Sequence, residues 1–167
     1  MTRPTSGIAT DGAHSTKHGM TRYRAVDLAT GNELFHVELG NQTVNAGEFM
    51  GVVEAVKYIL ENGFMPRIIY TDSVTAITWF RNKRTASKKR IPALHKAELF
   101  LQIMSSQIED IEVVHWDNDG WGQTPADFGV RPSGYLINVV MASYQARTYT
   151  PVNNRFTQRG NPKRNIA

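Results

Sequence analysis

Arg67-Ile68-Ile69-Tyr70-Thr71 is a compact apolar run that enters Asp72-Ser73, and residues 74–81 beyond it read as a helix capped by one of those two polar residues. A strand handing over to a helix in mid-chain decides the fold, because parallel neighbours in a sheet need crossover helices between them. Upstream stand three β-prone runs, 6–11, 22–28 and 33–39, the last two flanking Ala29-Thr30-Gly31-Asn32, whose Gly-Asn step suits a hairpin turn. Between them and the deciding strand, apolar residues at 49, 52, 53, 56, 59 and 60 fall at helical spacing, and Asn62-Gly63 supplies the stop.

Downstream, Pro92 opens a further helix with Leu94, Ala97, Leu101, Met104 and Ile108 along one side, and 111–116 is the last clear strand. The order β, β, β, α, β, α, α, β predicts an α/β fold: a five-stranded mixed sheet, three antiparallel strands and then parallel ones, with helices on both faces. Residues 135–144 are apolar enough to pack but ambiguous in type. After Thr150-Pro151 the composition turns to Asn, Arg, Gly and Pro, so the expected division is a domain over 1–130 and a C-terminal extension over 131–167, partly ordered with a flexible basic end.

The 167 residues suffice for one core of ordinary size. No apolar run approaches the ~18 residues of a membrane helix, and Met1 to Gly7 lacks the apolar stretch of a secretory signal, so the expectation is a cytoplasmic protein with no membrane partner. With no cysteine there is no disulfide framework, thiolate metal site or cysteine nucleophile. Any metal is held by oxygen or imidazole. The net charge of +4 conceals an uneven distribution: residues 81–96 carry seven Lys/Arg and no acid, and 145–167 carry five and no acid. The remainder holds seven basic and all 15 acidic residues, a local balance of −8. An acidic body with two basic appendages suits a protein that grips a polyanion and holds cations; a solvated helix face with a charged tail suits the pattern equally.

Four acids fall near element ends that such a sheet can bring together: Asp11 at the end of the first strand, Glu48 in the first turn of the first helix, Asp72 at the end of the fourth strand, and Asp127 after the fifth. Each has an ordinary explanation. Asp11-Gly12 suits a turn, Asp72 a helix N-cap, Asn45 with Glu48 a capping box, and Asp127 the first turn of a helix. Together they point elsewhere, because the topology makes the first and fourth strands parallel neighbours. Carboxylates gathered in one cleft repel unless protonated or bridged by divalent cations, and hard ions such as Mg²⁺ select carboxylate oxygens. Two ions about 4 Å apart activate a water and stabilise the leaving oxygen of a phosphodiester.

Ala9-Thr10-Asp11-Gly12, Thr43-Val44-Asn45-Ala46-Gly47-Glu48-Phe49 and Tyr70-Thr71-Asp72-Ser73 resemble the three successive acidic motifs of ribonuclease H type one. Trp121-Gly122-Gln123-Thr124-Pro125-Ala126-Asp127-Phe128-Gly129 is similar to the Trp-Gly-x-x-Pro-Ala-Asp-Phe-Gly ending of a bacterial subgroup of that family. The resemblance spans residues 8–129. It implies cleavage of the RNA strand of an RNA/DNA hybrid with Mg²⁺ or Mn²⁺, two ions to a site, leaving a 5′-phosphate and a 3′-hydroxyl. By motif position Asp11, Glu48, Asp72 and Asp127 are the metal-binding set, and Glu48 touches a ribose 2′-hydroxyl, the group that separates RNA from DNA. Gly12 lets backbone approach the RNA, Asn45 meets the minor groove, Thr43 holds a DNA phosphate, and Ser73 joins the substrate contacts.

Two departures stand out. Many members carry a mobile histidine in the loop before the last acid, whereas residues 117–124 contain none, and His115 reads as a strand residue. The subgroup's chains tend to finish near Phe128-Gly129, whereas this chain continues for 38 residues. Lys88, Lys89 and Arg90 lie where relatives carry a basic handle or a shorter positive loop, and contacts to phosphates of the DNA strand are expected of them. The rival readings are a hybrid-binding module without catalysis and a DNA-directed nuclease on the same fold. The sequence points to no protein partner.

Overall fold

A computed structural model describes residues 2–129. The three β-prone runs form an antiparallel meander, β1 (Ile8–Ser15), β2 (Met20–Asp27) and β3 (Glu33–Gly40). There follow α1 (Val44–Asn62), β4 (Ile68–Thr71), α2 (Val74–Asn82), α3 (Pro92–Ile103), β5 (Glu112–His115) and α4 (Asn118–Trp121). The strands join in the order β3-β2-β1-β4-β5, with β4 parallel to both β1 and β5, which is the expected mixed sheet. The extension 131–167, including residues 135–144, lies outside the described residues. Among the described residues no helix is long and apolar enough to cross a membrane.

The main core lies on one face of the sheet. Phe49, Val52, Val53, Val56 and Ile59 of α1 are buried with Ile8, Tyr23 and Ile69 of the sheet and with Ile77, Leu94 and Leu101 of α2 and α3. Burying a side chain of this size contributes roughly 1.5–3 kcal/mol, which outweighs the modest helix propensity of the valines in α1. Gly63 ends α1 in the left-handed conformation (φ 59°) and donates its N–H to the Ile59 carbonyl. On the opposite face Ala9 and Val26 meet Ala126, while Tyr70, Trp116 and Trp121 stack edge to face. The one-turn α4 and residues 124–129 cover that side.

Three expected boundaries move. β1 does not stop at Asp11 but runs to Ser15, because β2 pairs with it as far as Ser15↔Met20; Asp11-Gly12 is strand, not turn. α1 begins at Val44, capped by Thr43, whose Oγ1 accepts the Ala46 N–H at 3.1 Å. Asn45 is therefore no cap, and Glu48 stands beyond the first turn rather than in it. α3 ends at Ile103 instead of reaching Ile108, where Ser105 and Ser106 favour competing local hydrogen bonds. Ile108 stays buried through a further turn, its N–H on the Met104 carbonyl at 3.2 Å.

Candidate metal centre

The parallel register of β1 and β4 ends with Ala9 opposite Tyr70. Asp11 and Asp72 each stand two residues past that last pair, so two carboxylates leave neighbouring strands at the same level. Alternation puts Asp11 on the side of Ala9, away from α1. Glu48 comes from α1 on the other side, and the two layers touch at Gly12: its N–H donates to Glu48 Oε1 at 2.9 Å. A Cβ on Gly12 would lie 2.7 Å from the Glu48 nitrogen and 2.9 Å from the Gly47 carbonyl carbon, so only glycine lets helix and strand approach this closely. Asp72 is freed for the site because Ser73 does the capping of α2, its Oγ accepting the Ala76 N–H at 3.0 Å.

Asp11, Glu48 and Asp72 each offer a carboxylate oxygen within 4.8 Å of the others. The crowding shows in their acidity. Burial first, then the charges of Asp72 and Asp127, push Asp11 up to about 7, against a weaker pull from the Gly12 N–H and Arg24. Burial, then Asp11 and Asp72, push Glu48 up to about 8. Asp11 and Glu48 thus hold their protons to higher pH than ordinary carboxylates when no cation is present. Hard oxygen donors, mutual repulsion and no nitrogen or sulfur among them fit a hard divalent cation such as Mg²⁺ or Mn²⁺.

Asp127 is not a member of the trio, although its charge reaches Asp11. It follows a turn closed by its own N–H on the Thr124 carbonyl, not a helix start, and its Oδ2 accepts the Gly129 N–H at 2.8 Å. What brings it this close is Arg24, a residue the sequence reading did not single out. Buried on β2 opposite Asp11, Arg24 donates from Nε to the Ala126 carbonyl at 2.7 Å and from Nη2 to the Asp127 carbonyl at 2.6 Å. The alternation of β2 held the signal: Arg24 shares its face with the core residue Val26, where a charge needs partners.

Thr43 and Asn45 are exposed at the start of α1, and Thr43 spends a lone pair on the cap. The basic run forms a loop between α2 and α3, and its three named cations differ. Lys88 is exposed; Lys89 donates to the Asn41 carbonyl at 3.3 Å, next to the start of α1. Arg90 is engaged within the protein: its two Nη atoms meet the two carboxylate oxygens of Glu98 at 3.1 and 3.0 Å, and Nη1 also donates to Thr85 Oγ1. Buried Glu98 further accepts the Thr85 N–H at 2.7 Å and hydroxyl at 2.6 Å. Burial works to raise the pKa of Glu98, but the bonds from Arg90 and Thr85 outweigh it and hold the group at about 2. An acid at the core-facing spacing of α3, beside Ala97 and three before Leu101, was the available sign.

No family model matches the chain. Among solved structures it is similar to LC11-RNase H1, isolated from compost by a metagenomic approach, at 20% identity and a TM-score of 0.47 over 67% of this chain and 84% of that one. RNase H1 of the halophilic archaeon Halobacterium salinarum is similar at 17% identity and a TM-score of 0.43, over 65% of this chain and 82% of that one. The protease–reverse transcriptase of prototype foamy virus matches at 18% identity and a TM-score of 0.47, over 87% of this chain and 22% of that one. At such identities and scores the functional reading rests on the carboxylates themselves.

Proposed function

We propose that this chain is a metal-dependent ribonuclease H that hydrolyses the RNA strand of RNA/DNA hybrids, giving a 5′-phosphate and a 3′-hydroxyl. The observation that carries the reading is the trio of Asp11, Glu48 and Asp72, three carboxylates from two strands and a helix with ligand oxygens within 4.8 Å. Asp11, Glu48 and Asp72 would hold the cation, and Asp127, anchored by Arg24, would complete the set. Bound Mg²⁺ or Mn²⁺, two ions in this reading, supplies an activated water and charge stabilisation at the phosphodiester. The chain's own residues do the rest. Gly12 holds Glu48 through its N–H and keeps side-chain bulk out of the cleft, which leaves Glu48 able to meet a ribose 2′-hydroxyl. Thr43, Asn45 and Ser73 present short polar groups at two helix starts, where backbone N–H groups favour phosphate. Lys88 and Lys89 supply charge for the DNA strand's backbone.

The test is cleavage of an end-labelled RNA/DNA hybrid by the full chain with Mg²⁺ or Mn²⁺. Cleavage confined to the RNA strand, abolished by EDTA and by Asp11→Asn or Asp72→Asn, is expected. Binding of intact hybrid without cleavage at any concentration of either metal would instead identify a binding module, and cutting of duplex DNA at a comparable rate a DNA-directed nuclease.

A further inference from the structure

Asn118 is the first residue of α4, exposed on the short segment that joins β5 to Asp127. Its side chain is used at both ends. Nδ2 donates to Asp72 Oδ2 at 2.9 Å, and Oδ1 accepts the Thr124 N–H at 3.2 Å. The two bonds fix the amide's orientation without ambiguity, since the Thr124 N–H needs an acceptor and the carboxylate needs a donor. A single carboxamide thus ties Asp72 to the segment that carries Asp127.

We infer that Asn118 is a positioning residue of the metal centre. Held by Thr124, it fixes the carboxylate plane of Asp72 and engages one of its oxygens. Asp72 is half-buried at a strand end, its neighbour Ser73 is committed to capping α2, and among the described residues its side chain makes no hydrogen bond besides the one from Asn118. Donors to ligating groups have effects of a known scale: removing one weakens metal affinity or activity roughly 10–100-fold. The effect runs through Asp72, because the carboxylate that Asn118 holds is the one grouped with Asp11 and Glu48. This assignment rests on the proposed metal centre, but not on which nucleic acid that centre cuts.

The experiment titrates Mn²⁺ into metal-free full-length wild type and Asn118→Ala by isothermal calorimetry, with melting of both metal-free proteins and hybrid kinetics alongside. The expected result is a roughly tenfold or greater weakening of Mn²⁺ binding, with kcat reduced and the KM for hybrid unchanged. Because Asn118 is exposed, the melting midpoint of the metal-free variant stays within a few degrees of wild type. Equal Mn²⁺ affinity in the two proteins overturns the assignment, whatever the melting shows, since an Asn118 that merely held its loop would lower the midpoint and leave the metal alone. If wild type binds Mn²⁺ but leaves hybrid intact, the ribonuclease reading fails, while weakened Mn²⁺ binding by Asn118→Ala still upholds the positioning role. If wild type cleaves hybrid and the variant binds Mn²⁺ equally well, the reverse holds.

Discussion

Arg24 holds Asp127 by its backbone: Nη2 meets the Asp127 carbonyl at 2.6 Å while Nε meets that of Ala126 at 2.7 Å. Since Arg24 is also the cross-strand partner of Asp11, one guanidinium sets the fourth acid beside the first and tempers the charge of both. A lysine keeps the charge and loses the fork. Arg24→Lys is therefore expected to cost roughly 2 kcal/mol, the scale of one charge-assisted bond to a buried acceptor, in urea denaturation. It should slow hybrid cleavage about as much as Asp127→Asn, with little added in the double variant. Independent, multiplying losses would show that Arg24 acts elsewhere.

The raised pKa values of Asp11 and Glu48 make the metal-free protein sensitive to pH. Unfolded, these groups lose their protons near 3.8 and 4.5; folded, they keep them to about 7 and about 8. The folded state therefore binds extra protons between these limits, and the two groups' contribution to stability falls as pH rises from about 4 to about 8. The melting midpoint of metal-free protein is expected to be lower near pH 8.5 than near pH 5.5, and Asp11→Asn to flatten the decline and raise the midpoint at the alkaline end. Mn²⁺ binding should release protons, more of them at about pH 6 than at about pH 8.5, measurable as a buffer-dependent heat. A midpoint rising steadily across that range, in wild type and Asp11→Asn alike, would contradict the burial of these carboxylates.

The sheet was legible because its signals are local. Apolar spacing marked α1, Gly63 its end, and the run from Arg67 to Thr71 marked a strand that only a parallel neighbour could accommodate. The trio was legible as a set of element ends. What escaped was set by contacts between distant segments. Whether Asp11 ends a strand or lies within one depends on how far β2 follows β1, and the capping of α1 by Thr43 rather than Asn45 frees Glu48 for a glycine 36 residues earlier. Arg24 and Asn118 carry no motif; their roles exist only once residues 118–127 fold back over β1 and β2. Arg90, expected as a phosphate contact from its charge and its place in the family's basic loop, pairs with Glu98 in a contact that neither signal shows.

Gly12 tests the contact between strand and helix. An added methyl would meet backbone atoms of Gly47 and Glu48 at 2.9 and 2.7 Å, which cannot rotate away. Gly12→Ala is expected to destabilise by roughly 1–3 kcal/mol, the range for overpacking, and to displace Glu48 from the trio. Gly63→Ala is the control: that position has open space around it but a φ of 59°, so the cost is conformational, about 1 kcal/mol, with Mn²⁺ affinity unchanged. Denaturation and metal titration of both variants separate the two effects. Equal Mn²⁺ affinity in Gly12→Ala and Gly63→Ala would show that Glu48 does not depend on the close approach.

The three named cations of the basic loop differ in what they touch, Arg90 alone among them pairing with Glu98. Lys88 and Lys89 are exposed, and replacing both by alanine is expected to lower the slope of log affinity for hybrid against log salt by about 2 in magnitude, roughly one phosphate each, with melting unchanged. Arg90→Ala instead leaves buried Glu98 without its bidentate partner, so melting falls and the salt slope changes only as far as the loop loosens. Acid sharpens the distinction. Glu98 titrates at about 2 when folded and near 4.5 when unfolded, so its contribution is intact above about pH 4.5 and disappears as pH falls toward 2. Glu98→Gln should remove that part of the acid-induced loss of stability while keeping the Lys88 and Lys89 contribution to the salt slope. If Arg90→Ala flattens the slope by about 1, as expected for each lysine, without lowering the melting midpoint, the guanidinium binds phosphate after all and the Glu98 pairing is dispensable.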